Sequence, residues 1–139
     1  MRRFLASILG IFFGANALWM LVIPFHWYAH IPGVTETGPA NAHLIRDVGC
    51  AFLVAALALL WFVVAPKRAW PAVLAAGTFL FLHSSIHVWD TVAGREHPHL
   101  LLAEIPTVIL PAILTLWLGC PSFSGSDRQR VVGTKDSAN

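Results

Sequence analysis

Apolar positions in this chain do not alternate with polar ones; they gather in four continuous runs, Phe4 to Ile23, His43 to Val64, Trp70 to Trp89 and Leu100 to Gly119. Each run is about the 20 residues that a helix needs to cross a hydrocarbon core of roughly 30 Å. In lipid, backbone groups are satisfied only within helices or closed barrels, and barrel strands would alternate apolar and polar residues. The pattern therefore predicts an all-α integral membrane protein, a four-helix bundle in which short connections make successive helices antiparallel neighbours. On this reading residues 1–120 are the transmembrane domain. Residues 121–139 hold Ser, Gly, Asp, Arg and Lys without an apolar face and are expected to form a disordered cytosolic tail.

The connections are polar or rich in helix breakers: a Pro- and Gly-rich loop from Pro24 to Ala42, the short turn Ala65 to Ala69, and the segment Asp90 to His99. Met1-Arg2-Arg3 and the apolar residues after it resemble a signal peptide with a small-residue site at Ala15-Asn16-Ala17. The apolar run continues past that site to Ile23, which favours a retained first helix. Arg2, Arg3, Lys67, Arg68, Arg128, Arg130 and Lys135 fall on one side of the four spans and only Arg46 and Arg95 on the other. The positive-inside rule then puts both termini in the cytoplasm, N-in and C-in. Trp19, Trp27 and Trp89 lie towards the outer ends and Trp61, Trp70 and Trp117 towards the inner ends, as interfacial rings should.

Composition agrees, with 57% hydrophobic and 12% charged residues and a mean hydropathy of +0.69. The net charge of +2 comes from cations in ones and twos at the ends of apolar runs, so nucleic acid is not an expected partner; the lipid bilayer is. Cys50 and Cys120 fall near opposite membrane faces, which excludes a disulfide between them, and Cys50 is expected to be a small buried hydrophobe.

Candidate chemistry enters with the ionisable residues. All seven histidines and five of the seven acids, Glu36, Asp47, Asp90, Glu96 and Glu104, fall on the outer side. His83, His87 and Asp90 follow an i, i+4, i+7 spacing on the third helix, and His43, Asp47 and Cys50 do so on the second, so each set shares a helix face. Intramembrane ionisable groups usually face the bundle interior and pair with something. Imidazoles and carboxylates at this spacing suit a transition metal, copper, zinc or iron, with His83, His87 and Asp47 as core ligands and Asp90, Glu104 and His43 as further ligands or orienting groups. Arg46, about 100° round the helix from Asp47, is expected to snorkel outward or pair with Glu36 or Glu96. Asn16 is expected to hydrogen-bond a neighbouring helix, and Pro106 and Pro111 to loosen the fourth helix beside Glu104.

The stretches Asn41-Ala42-His43-Leu44-Ile45-Arg46-Asp47-Val48-Gly49 and His83-Ser84-Ser85-Ile86-His87-Val88-Trp89-Asp90, within a small four-helix layout, make the chain resemble bacterial membrane proteins of the DoxX-like kind. The resemblance covers about residues 4 to 119 and implies a multi-pass protein of the bacterial inner membrane, associated with quinone-linked oxidoreductase complexes and so with other membrane subunits. It carries over no functional residue. Three functional expectations follow: a metal or metal-cofactor protein, a structural or assembly subunit with a polar network in its core, and a quinone-linked redox subunit. No motif names a reaction.

Overall fold

The computed structural model describes residues 1–95 and 97–121; all of the expected tail except Pro121, and Glu96, lie outside the described residues. Within them the chain is helical: α1 (Arg2–Val22), α2 (Pro24–His30), a 3-10 turn (Val34–Thr37), α3 (Ala42–Val64), α4 (Pro66–Val92), α5 (Pro98–Glu104), a π-helical stretch (Ile105–Ile109) and α6 (Leu110–Gly119). Four helical segments are long and apolar enough to cross a membrane, the last running from Pro98 through the π stretch to Gly119. They make the chain a multi-pass membrane protein. Large apolar side chains such as Ile11, Val54, Leu82 and Ile113 are exposed on their outer faces, where lipid would meet them.

Two X-Pro steps break the chain in the same way. A residue before proline is pushed out of the α region, and Ile23 (φ −133°, ψ 64°) and Ala65 (φ −132°, ψ 65°) adopt nearly identical dihedrals. Proline then opens the next helix, where its missing N–H costs nothing. The first break starts α2, a helix in a segment expected to be loop, and the second starts α4 four residues earlier than hydropathy indicates. α2 is tied down by side chains: Trp27 Nε1 donates to Asn16 Oδ1 of α1 at 2.9 Å, and Tyr28 donates to the carbonyl of Gly38. Asn41 then caps α3, its Oδ1 accepting from the backbone of His43 and Leu44 at 3.0 and 3.2 Å.

The closest packing joins α1 to α3 and α4 to α6, with α3 against α4 connecting the two pairs. Small residues make the close approaches. Gly10 faces Leu60 and Ala56, and Gly49 faces Met20 and Ala17, so α1 and α3 run in opposite directions; Gly77 lies on the backbone of Leu116 and Gly119 on that of Leu74, so α4 and α6 do too. Between the pairs stands a column of rings, Phe13, Phe52 and Phe79, with centroids 5.7 and 5.9 Å apart in sequence. Leu59, Val73 and Leu118 are fully buried around it.

Arg2, at the start of α1, closes the far end of the chain. Its Nη2 donates to the carbonyls of Leu118 (2.7 Å), Cys120 (2.9 Å) and Trp117 (3.4 Å), and the guanidinium lies over the rings of Phe62 and Trp117. The last carbonyls of a helix have no intrahelical donor, and a charged donor is the stronger kind. Arg2→Gln is therefore expected to lower the free energy of unfolding in detergent by about 1–2 kcal/mol. Arg3→Gln, at an exposed position, should change it by less than about 0.5 kcal/mol. Thermal denaturation of the two variants checks this, and equal losses would reduce Arg2 to a topology signal.

Candidate functional site

The residues singled out from sequence divide into three separate groups. His43 and Asp47 pair with each other on the first turns of α3, Nε2 to Oδ2 3.4 Å, with side chains 89% and 60% exposed. Asp90 pairs with Arg95 at 2.9 Å. That contact belongs to a helix stop: Gly94 takes φ +70°, the Arg95 N–H bonds the Asp90 carbonyl and the Gly94 N–H that of Thr91, the double-bonded glycine cap that ends many helices. Cys50 is exposed rather than buried, and among the described residues Arg46 donates through Nε to the Leu21 carbonyl at the end of α1 (3.1 Å) rather than to Glu36, while Glu96 lies outside the described residues.

The third group is the candidate site. His83 and His87 stand one turn apart on α4, and Glu104 reaches them from the end of α5. His87 Nδ1 lies 2.7 Å from Glu104 Oε1, with side chains only 23% and 13% exposed, and His87 Nε2 lies 3.4 Å from His83 Nε2. Phe79 stacks on the His83 ring at 6.1 Å and Phe52 meets it edge-on at 5.5 Å, so the aromatic column ends on this imidazole. Sequence reading gave no role to these two rings, although Phe79 to His83 is an i, i+4 step. The hydroxyls nearby take no part: Ser84 and Ser85 both bond the carbonyl of Phe81, and Thr91 that of His87.

Glu104 owes its position to the irregular start of the fourth span. Pro106 and Pro111 have no N–H to give, and between them the chain forms π-helical turns, with the N–H of Leu110 bonding the carbonyl of Ile105. An extra residue in a turn shifts what precedes it by about 100° around the helix axis. The loosening expected of the two prolines thus takes the form of a π-helical stretch between Glu104 and α6, both of which meet α4.

Proton placement follows from the distances. An ionised Glu104 accepts from His87 Nδ1–H, which leaves the lone pair of His87 on Nε2, facing His83 Nε2. That gap takes one N–H donated across it or a cation shared by both nitrogens. Glu104 Oε2 is buried and has no hydrogen-bond partner among the described residues, so it can accept one further donor. His26 and His30, which the sequence places with Trp27 and Tyr28 in an interfacial aromatic segment, form a second imidazole pair on α2: their rings stack with centroids 4.0 Å apart, and Trp19 Nε1 donates to His26 Nδ1 at 3.0 Å.

Comparisons with protein-family models, with curated proteins and with solved structures each return no match to this chain.

Proposed function

We propose that the chain is an antiparallel four-helix bundle of the bacterial inner membrane, N-in and C-in, that holds a transition metal ion, copper, zinc or iron, between His83 and His87 in its outer half. The observation that carries this reading is the pair of facing Nε2 atoms, 3.4 Å apart, with the other nitrogen of His87 held by a carboxylate. Two donors each about 2.0–2.1 Å from a tetrahedral ion stand roughly 3.3–3.4 Å apart, and a carboxylate on the far ring nitrogen is the usual way to orient a metal-ligating histidine. Glu104 is then an orienting group rather than a ligand. Water or a further ligand completes the coordination, while Asp47, His43 and Asp90 serve their local pairs.

Metal analysis of protein purified in detergent tests this. One equivalent of metal is expected in the wild type, none in His83→Ala/His87→Ala, and an affinity about 10- to 100-fold lower in Glu104→Gln. A double variant that keeps its metal would overturn the assignment. One observation favours a second reading, a structural polar network: among the described residues, no group of three or more His, Cys, Asp or Glu side chains is placed to hold a metal ion. On that reading the wild type carries no metal and the cluster only fixes α5 against α4.

A further inference from the structure

At the end of the molecule opposite these histidines, where α1 begins, α3 turns into α4 and α6 ends, lies a cavity of about 350 Å³. Phe62, Pro66 and Trp70 line it on its apolar side, with Arg3 and Lys67 at its edge and Arg2 beside them holding the end of α6. We propose that this cleft binds the phosphate headgroup of an anionic phospholipid. The inference rests on the four spans crossing a membrane and not on the metal reading.

Charge complementarity is the first argument. The carboxylates of the described residues, Glu36, Asp47, Asp90 and Glu104, all belong to the other end. Neither α1 nor α4 has an acidic residue in its first turn; those turns carry Arg2, Arg3, Lys67 and Arg68 instead. Cations at the positive end of a helix dipole repel it, and an anion between Arg3 and Lys67 relieves both helices at once. The second argument selects a lipid over a free phosphate. Trp70 and Phe62 offer an apolar wall that an inorganic ion does not use, and Phe4, Trp61 and Val64, on the same ends of α1 and α3, are exposed apolar side chains that acyl chains could cover. A tryptophan beside basic residues at a span end is the arrangement that meets headgroups.

The test is native mass spectrometry of the full chain released from micelles containing equal amounts of phosphatidylglycerol and phosphatidylcholine. The wild type is expected to retain one phosphatidylglycerol in preference to phosphatidylcholine. Arg3→Gln/Lys67→Gln should bind it about thirtyfold more weakly, the loss of two cations near a headgroup, while Arg68→Gln, outside the cleft, retains it. Equal retention of both lipids by the wild type overturns the proposal whatever the variants do. So does undiminished retention by the double variant, or displacement of the lipid by inorganic phosphate at the same concentration, which would make the ligand a free anion.

Discussion

Gly77→Ala is expected to destabilise the protein by about 1–3 kcal/mol, although alanine is the better helix former by about 1 kcal/mol. A Cβ on Gly77 would stand 2.6 Å from the Cα and 2.7 Å from the nitrogen of Leu116, and one on Gly119 would stand 2.5 Å from the same atoms of Leu74. These are backbone atoms, so no rotamer change relieves the contact and α4 must move away from α6. Each helix supplies one glycine against the other's backbone, the small-residue packing on which membrane helices depend. Gly77→Leu should prevent the α4–α6 pair from forming. Gly14→Ala is the control, because its Cβ would meet only the Cβ of Ala56 at an ordinary 3.7 Å; there the helix propensity should win and stability hold or rise. Thermal unfolding in detergent measures all three, and a Gly77→Ala protein as stable as Gly14→Ala would show that the close approach is not energetically important.

His87→Ala in metal-free protein is expected to cost about 3 kcal/mol, because it leaves a largely buried carboxylate with neither oxygen paired. Glu104→Ala should cost less, since the imidazole that remains still faces His83. The double variant His87→Ala/Glu104→Ala should lie well below the sum of the two, as residues in contact do not contribute additively. Full additivity in this cycle would mean that the 2.7 Å contact contributes nothing. The same proteins also separate the two readings of the site: a metal site makes the wild type's melting temperature rise with added metal, whereas a structural network leaves it fixed.

The four spans were legible because partition into lipid depends on composition over some 20 residues, and composition is what a sequence displays most directly. Their ends were less so. Pro24 and Pro66 can each open a helix as well as end one, and the pairings of Trp27 with Asn16 and of Tyr28 with Gly38, which tie α2 down, are not visible in the sequence. Half of the site was legible too: His83 and His87 share a helix face by spacing alone. His43 and Asp47 have the same i, i+4 spacing, yet they satisfy each other on an exposed face, and spacing does not say whether such a pair turns inward. Asp90 carried a readable warning in Gly94-Arg95, a glycine stop followed by a cation. Arg46 found the carbonyl of Leu21, one of those that the break at Ile23 leaves without a helical donor, which is a partner visible only once α1 and α3 are side by side.

The clamp made by Arg2 has a consequence for how the chain assembles. The first two spans pair with each other and the last two with each other, so each half can close as a hairpin soon after it leaves the ribosome, from contacts near in sequence and therefore quick to form. Arg2 waits through this, because the carbonyls it binds, up to 118 residues away, belong to the last turn to be made. A chain truncated within α6 would hold both early helices correctly paired and still lack its lock.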